Sequence, residues 1–318
     1  MTMKPTPITL KPVACLGSLL AGGELVAFDV GPNGLVYLVI ALKPLDYHIV
    51  RAGATFARTT PQEPQDYRVI ALRGDQTVRD IHIDGEQFNV HSIQPLGAKL
   101  LLTCTRSYYR GEQDFDLNGR LYSSDGAFEK ELLLGDGICS VQVDPHEIIW
   151  TSYFDEGIFG NCGWRNPIGA CGLVAWDTDG NKLYEFQPPG PNLDICDCYA
   201  LNVSSGEDVW CYYYTEFPLV HLRNRKVMSL WRVPVAGSRA FAIARGHALF
   251  SGGYRNRDIY HLFRLGDSET ASVVKDFELI KPDGVKLASA WVIGRGDALF
   301  LLEDGDLYRF DVKTTINV

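Results

Sequence analysis

The residue types best suited to chemistry lie in one long segment, residues 155–172, which contains adjacent carboxylates, a tryptophan–arginine pair and two cysteines. The carboxylates follow a predicted strand, so they could project from a fixed backbone and bind a cation or a polar substrate. Two other interpretations stay open: an exposed loop whose glycines serve turns, or, in an oxidising compartment, a loop crosslinked by a Cys162–Cys171 disulfide. The residues of this segment predicted to bind a ligand are Asp155, Glu156, Trp164 and Arg165.

A second segment, residues 106–116, combines tyrosines, arginines and three carboxylates. Aromatic side chains mixed with such charges suit the recognition of a sugar or a peptide. A charged rim that only keeps the protein soluble is an equally good interpretation. This segment contributes Arg110 and Glu112 to the predicted ligand-binding residues, and the corresponding loops later in the chain contribute Glu216 and Arg257.

Metal binding is an alternative, although no metal or other cofactor is the favoured expectation. Residues 194–198 read Asp-Ile-Cys-Asp-Cys, and a Cys-x-Cys with acids can hold zinc. A zinc site normally needs a second ligand pair at set spacing, so packing of these thiols as small apolar side chains is favoured. For calcium or another divalent cation, the candidate ligands are Glu24, Asp155, Glu156, Asp197 and Asn202.

Several catalytic classes are disfavoured by the motifs. The seven histidines show no His-Glu-x-x-His spacing, and His91, on a predicted strand, is better interpreted as an interior side chain than as a ligand. The sequence has no Gly-x-Ser-x-Gly, no Walker loop and no dinucleotide fingerprint. Nucleophilic-serine, nucleotide-triphosphate and nicotinamide chemistry are therefore not expected.

The elements that must position these residues are short strands that repeat at a fixed period. Ile-Gly-Arg-Gly-Asp-Ala-Leu-Phe at residues 293–300 nearly repeats Ile-Ala-Arg-Gly-His-Ala-Leu-Phe at residues 243–250. Related patterns begin near residues 93 and 143. A period of about 40–50 residues built of short strands is typical of a β-propeller.

The repeats predict an all-β fold: a single domain over residues 1–318 with six four-stranded antiparallel blades, with seven blades as the alternative. The last repeat offers only three strands, so residues 7–15 are predicted to supply its fourth and cover an otherwise unpaired edge. Residues 43–66 are predicted to be an insertion too rich in turns for a seventh blade. Loops that follow the second strand of each blade are long in the first half of the chain, which predicts the functional face there.

The hairpin Val-Asp-Pro-His-Glu-Ile-Ile-Trp-Thr at residues 143–151 and the follower Gly-Leu-Val-Ala-Trp-Asp at residues 172–177 resemble a known superfamily. It is the six-bladed propeller superfamily that includes the NHL-repeat proteins and the calcium-dependent lactonase-like hydrolases. The resemblance covers the whole chain as architecture. For the hydrolase branch it implies a metal ion in the central channel that polarises a carbonyl or activates water. Such hairpins serve unrelated activities, so the resemblance assigns no ligand residue by residue.

Composition limits the partners. The chain has 318 residues with a formal net charge of -9, which argues against a nucleic-acid partner. The nearest basic cluster, residues 223–226, fits a hairpin turn. No apolar run reaches the roughly eighteen residues of a membrane helix, and no clear signal peptide precedes the repeats. We expect a cytoplasmic protein with reduced cysteines and no membrane partner.

Two functions remain compatible with the sequence. The favoured one is a binding protein that presents a loop-rich propeller face to a small molecule, a glycan or a protein partner, because no catalytic motif is complete. The alternative is a metal-dependent, lactonase-like hydrolase with its site at the central channel. The sequence leaves open whether the protein is an enzyme.

Overall fold

The computed structural model describes residues 4–316 and contains six sheets, each with a four-stranded antiparallel meander, arranged as the blades of a β-propeller. The prediction of six blades is confirmed. The chain divides into two compact units, residues 20–186 and residues 1–19 with 187–318. The first two strands of the chain are β1 (Thr6–Thr9) and β2 (Ala14–Cys15).

Residues 20–186 form the first three blades, and each has an insertion between its second and third strands. The first blade and its inserted hairpin are β3 (Glu24–Val30), β4 (Val36–Ala41), β5 (His48–Arg51), β6 (Ala54–Ala57), β7 (Gln65–Arg73) and β8 (Gln76–Glu86). The second blade and its inserted hairpin are β9 (Ser92–Leu96), β10 (Lys99–Thr103), β11 (Tyr109–Gly111), β12 (Asp114–Phe115), β13 (Gly119–Tyr122) and β14 (Phe128–Leu132). The third blade and its inserted helix are β15 (Ile138–Val143), β16 (Ile149–Tyr153), α1 (Asp155–Phe159), β17 (Leu173–Trp176) and β18 (Lys182–Glu185).

The other unit contains the last three blades, whose loops after the second strand are shorter. The fourth blade is β19 (Asp197–Val203), β20 (Asp208–Tyr214), β21 (Pro218–Arg223) and β22 (Lys226–Arg232). The fifth is β23 (Phe241–Ala244), β24 (His247–Phe250), β25 (Ile259–Arg264) and β26 (Ser272–Ile280). The sixth has β27 (Trp291–Arg295), β28 (Ala298–Glu303) and β29 (Asp306–Asp311), followed by the short helix α2 (Val312–Thr315).

The N-terminal strand completes the last blade, as predicted. β2 pairs antiparallel with β29, with Ala14 opposite Leu307. Only the end of the predicted segment does this, because β1 instead pairs in parallel with β26 as a fifth strand of the fifth blade. Pro7 is tolerated there because β1 is an edge strand with no further neighbour that needs its missing N–H.

The core is built from strands that are buried along their whole length. All six residues of β4 are buried, as are Leu100, Leu101 and Leu102 of β10. A fully buried aliphatic side chain contributes about 1.5–3 kcal/mol relative to an exposed one. In the unit formed by residues 1–19 and 187–318, stacked aromatic rings such as Phe241 and Phe250, with centroids 5.1 Å apart, take the same role. Rigid blades of this kind can hold long loops in fixed positions.

Two segments predicted to be irregular contain regular structure. The insertion at residues 43–66 includes the β5–β6 hairpin, whose turn residues Ala52 and Gly53 both have positive φ. An Ala-Gly turn is a weaker signal than Asn-Gly, so the hairpin was not visible in the sequence. The segment at residues 155–172 begins with α1, whose central Gly157 disfavours a helix on propensity alone.

Two further expectations from the sequence, a hairpin turn and the lack of a membrane helix, can be compared with the structure. Residues 223–226 form the β21–β22 hairpin turn as predicted, with Asn224 and Arg225 at positive φ. Across residues 4–316, no helix is both long enough and apolar enough to cross a membrane.

Candidate functional site

The three insertions of the first three blades meet at one cleft of about 600 Å³. They are the long segments whose length predicted the functional face. The residues lining the cleft are Thr55, Phe56, Ala57, Arg106, Tyr108, Tyr109, Glu156, Asn161, Cys162 and Gly163. All of them belong to residues 20–186, so this unit alone builds the cleft.

Arg106 is the buried centre of the charged end of the cleft. Its Nε lies 3.1 Å from Oδ1 of Asp136, and its terminal nitrogens donate to the Glu156 carboxylate and to Sγ of Cys162. Burial is the largest influence and would lower the pKa of Arg106, but the Asp136 carboxylate, the Cys162 thiol and the Glu156 carboxylate together outweigh it, and the net shift is upward. The guanidinium therefore stays charged and ties two of the three insertions together.

Asp136 is the acid beneath this guanidinium and is only 2% exposed. Its Oδ1 accepts a hydrogen bond from the Ser107 backbone N–H at 2.9 Å. Its Oδ2 has no hydrogen-bond partner in the part of the chain that the structure describes. Burial raises the pKa of Asp136, and Arg106 offsets that rise only in part. The cluster thus contains a desolvated carboxyl oxygen with unused acceptor capacity.

Two glycines allow the insertions to approach each other this closely. A Cβ on Gly157 would lie 2.4 Å from the backbone oxygen of Asp136, and one on Gly163 would lie 2.0 Å from the backbone oxygen of Tyr109. Neither contact is possible for a residue with a side chain. Gly157 therefore seats α1 beside Asp136, and Gly163 seats its loop against β11.

The loop at residues 106–116 is held by its own hydrogen bonds. Asp116 accepts from the Tyr108 backbone N–H at 2.9 Å and from Arg110 at 2.7 Å. Arg110 also pairs with Asp114 at 2.7 Å. The indole N–H of Trp164 donates to the Ser107 carbonyl at 2.7 Å, which fastens the third insertion to the second. Such fixed loops present a ligand with a preformed surface.

A second cavity of about 530 Å³ shares Phe56, Ala57 and Tyr108 with the first. Its other lining residues are Ile49, Arg58, Thr59, Thr60 and Arg110. The Tyr108 hydroxyl donates to the Ala57 carbonyl at 2.9 Å and so links the first two insertions. The two cavities form one groove with a charged end and a more apolar end.

The charged side chains that line this groove are three guanidinium groups and one carboxylate, that of Glu156. The three guanidinium groups that line it, Arg58, Arg106 and Arg110, are all ion-paired. Their carboxyl partners are Asp46, Asp114, Asp116, Asp136 and Glu156. Four of these five carboxyl groups lie outside the lining of both cavities, and only Glu156 lines one. The ion-paired cluster as a whole has five carboxyl groups against three guanidinium groups, and this net negative charge favours a cationic group on a ligand.

Only some of the predicted ligand-binding residues line the groove. Glu156 lines the cleft, and Arg110 lines the second cavity. Trp164 packs its ring 4.9 Å from that of Tyr109, behind the lining. The predicted residues that are exposed but line neither cavity are Glu112, Asp155, Arg165, Glu216 and Arg257. Glu216 and Arg257 belong to the other compact unit.

The candidate metal ligands do not form a cluster in what the structure describes. Asp197 and Asn202 lie at the two ends of β19, about 17 Å apart at the usual rise per residue. The Asn202 amide already donates to the Phe241 and Gly296 carbonyls and accepts from the Gly296 N–H at 2.8 Å. Glu24 and Asp155 are exposed. Within residues 4–316, no three His, Cys, Asp or Glu side chains are arranged to hold a metal ion.

The cysteines and the interior histidine are accounted for in simpler ways. All eight cysteines are free thiols, so Cys162 and Cys171 form no disulfide. Cys198 is buried, and its thiol points to the Ala200 carbonyl. His91 packs against the Tyr47 ring at 4.9 Å, and burial lowers its pKa to about 4.

Sequence reasoning missed Arg106 and Asp136 as site residues. A usable signal was the repeat itself, because Arg106 stands three residues after the end of β10 and Glu156 three residues after the end of β16. The two are therefore equivalent positions of successive blades, fifty residues apart. Asp136 had a weaker signal, its two flanking glycines.

Comparison with known proteins agrees on the fold and leaves the function open. A model of the YxzG family matches residues 170–310, which is less than half of the chain. No curated protein sequence matches this chain. Kluyveromyces lactis Hsv2 is similar in structure, with 10% identity, a TM-score of 0.50, and coverage of 91% of this chain and 74% of that chain.

Two further solved structures are similar at lower scores. The PQQ-bound aldose sugar dehydrogenase from Streptomyces coelicolor has 12% identity and a TM-score of 0.48 over 94% of this chain and 96% of that chain. The β-propeller domain of Cps50 (Swd1) from Myceliophteria thermophila has 12% identity and a TM-score of 0.45 over 91% of this chain and 97% of that chain. The six blades are read from the structure itself, and identities this low show nothing beyond the fold.

Proposed function

We propose that the protein is a binding protein whose groove in residues 20–186 takes an organic ligand with a positively charged group and an apolar group. The observation that carries this proposal is the exposed Glu156 carboxylate in the lining of a preformed groove, backed by an ion-paired cluster in which carboxyl groups outnumber guanidinium groups. Glu156 is the natural contact for the cation, because its side chain is 45% exposed while that of Asp136 is buried. The apolar group would lie in the second cavity, beside Phe56 and Ile49.

The ligand's cation is expected to strengthen the cluster, because it would balance the second carboxylate around Arg106. A charge-assisted hydrogen bond of this kind contributes about 1.5–3 kcal/mol, or at least about tenfold in affinity. No step of a reaction is needed to explain the arrangement. Both cavities combine apolar side chains with a few fixed polar groups, as ligand-binding pockets generally do.

The proposal is tested with phenethylammonium, which joins an aromatic ring to an ammonium group, and with phenylacetate, which replaces the cation by a carboxylate. Titration calorimetry of the full chain should show binding of the first and none of the second. Glu156→Gln should weaken binding by about tenfold and change stability by no more than about 1 kcal/mol, as for other exposed ion pairs.

The matched control is Glu112→Gln, which removes an exposed carboxylate in the neighbouring hairpin turn outside both cavities. It should leave the affinity unchanged. Equal binding of phenethylammonium and phenylacetate, or equal effects of the two substitutions, would contradict the proposal.

A further inference from the structure

The inserted hairpin β5–β6 has one edge that no other strand covers. Its two strands pair only with each other among the described residues. The Arg58 backbone N–H donates to the Tyr47 carbonyl at 2.8 Å, which fixes the alternation of the ladder. In antiparallel pairs every second residue points its backbone groups to the partner. The backbone N–H and C=O groups of Phe56 therefore point to β5, while those of Thr55 and Ala57 point outward.

This outward edge of β6 is the edge that faces the cleft. The Ala57 carbonyl accepts the hydrogen bond from the Tyr108 hydroxyl, and Thr55, Phe56 and Ala57 all line the cavity. The Thr55 N–H, the Thr55 carbonyl and the Ala57 N–H have no partner within residues 4–316. Two donors and one acceptor, spaced along about 7 Å of strand, thus border an open cleft.

We propose that the ligand of the groove is an extended peptide segment that adds to β6 as a third strand. The inference rests on the proposed function and names the class of its ligand. The ligand's carbonyls would accept from Thr55 and Ala57, and one ligand N–H would donate to the Thr55 carbonyl. Main-chain pairing with an exposed edge gives such a complex its affinity. Pairing ends at Ala57, because Tyr108 occupies its carbonyl.

Side-chain selection follows from what lies on either side of this edge. Successive residues of a strand point to opposite faces. A lysine or arginine of the peptide fits the end of the cleft with Glu156, where carboxyl groups are in excess. An apolar residue fits the second cavity, where Phe56 is 47% exposed. The expected ligand is a short extended segment with a basic residue next to apolar residues.

The test uses the full chain and two pools of acetylated, amidated hexapeptides. One pool has lysine fixed at the third position and the other glutamate, with the remaining positions drawn from Val, Thr, Phe and Ser. Affinity selection with mass-spectrometric readout should enrich the lysine pool. The strongest binder is then resynthesised with one N-methylated amide at a time. Methylation should lower the affinity by about tenfold or more only at an amide that donates to Thr55, and its immediate neighbours should be insensitive.

A protein-side test removes one donor from the edge. Thr55→Pro deletes an N–H that has no partner in the hairpin, so the hairpin ladder is retained. The matched control is Val50→Pro, because Val50 is the cross-strand partner of Thr55 and points its N–H to the opposite edge. Thr55→Pro should lower the affinity for the selected peptide by about tenfold, and Val50→Pro should leave that affinity unchanged.

The outcomes separate this inference from the function beneath it. A peptide that binds with no position-dependent effect of methylation, and equally to both proline variants, would overturn strand addition while the groove remained a binding site. Binding of phenethylammonium without any peptide would mean a small-molecule ligand and would also overturn it. If neither the peptides nor phenethylammonium bind, the proposed function fails and the inference fails with it.

Discussion

Arg106 is expected to contribute strongly to the stability of the fold, because it is the cation that pairs with the buried Asp136 carboxyl. Removing one partner of a buried pair leaves an uncompensated charge and costs about 3–5 kcal/mol. We expect Arg106→Leu to lower the free energy of unfolding by that amount at neutral pH, measured by urea denaturation. Arg106→Leu combined with Asp136→Asn should recover much of the loss, because the unpaired charge is then absent.

The loss of stability in Arg106→Leu should also depend on pH, and the titration of Asp136 decides whether it grows or shrinks as the pH falls. Burial already raises the pKa of this acid in the folded state, and the loss of Arg106 removes the main influence that lowers it. An acid with a raised folded pKa binds its proton more tightly in the native state. Stability therefore rises as pH falls through the folded pKa towards the unfolded value near 3.8. The stability difference between Arg106→Leu and the wild type should therefore shrink as the pH falls from neutral towards 3.8, and a constant difference would contradict this explanation.

Among the elements, the two N-terminal strands are expected to contribute unequally. β2 completes the sixth blade, and the Leu16 that follows it is 1% exposed and donates its backbone N–H to the Gly305 carbonyl. β1 extends the edge of the fifth blade, and its Ile8 packs against the core but is only partly buried. Deleting residues 1–12 should cost less than deleting residues 1–16, because only the longer deletion also removes a fully buried leucine, whose loss adds roughly 2–5 kcal/mol. Thermal melting of both truncations checks this, and equal melting temperatures would show that β2 does not stabilise the blade.

Across the whole molecule, no three His, Cys, Asp or Glu side chains of the described residues are arranged to hold a metal ion. We therefore expect melting curves in calcium, zinc or manganese to overlay the curve in chelator. A native-state site loaded at about a hundred times its Kd would raise stability by roughly 2.7 kcal/mol, a shift that scanning calorimetry resolves easily. A rise of that size with calcium would revive the metal-dependent hydrolase as the function.

The architecture and the segments that line the groove could be predicted from the amino-acid sequence. The near-identity of residues 243–250 and 293–300 sets the period, and hence the blades, because each repeat is a meander that must bury its faces against the next. The missing strand of the last repeat predicted the role of the N-terminal segment, although the parallel pairing of β1 with β26 was not visible. The length of the first three insertions predicted the functional face, and those insertions line the groove.

Which residues of those insertions work together depends on tertiary packing. Asp155 and Glu156 are neighbours in sequence, yet Glu156 lines the cleft and Asp155 does not. Arg106 reaches Asp136 across thirty residues of chain, and Thr55 borders the cleft because the weak Ala-Gly turn is stabilised in a hairpin. Contacts of this kind depend on how loops from different blades pack. Local periodicity and propensity report only on neighbours along the chain, so they carry no information about such contacts.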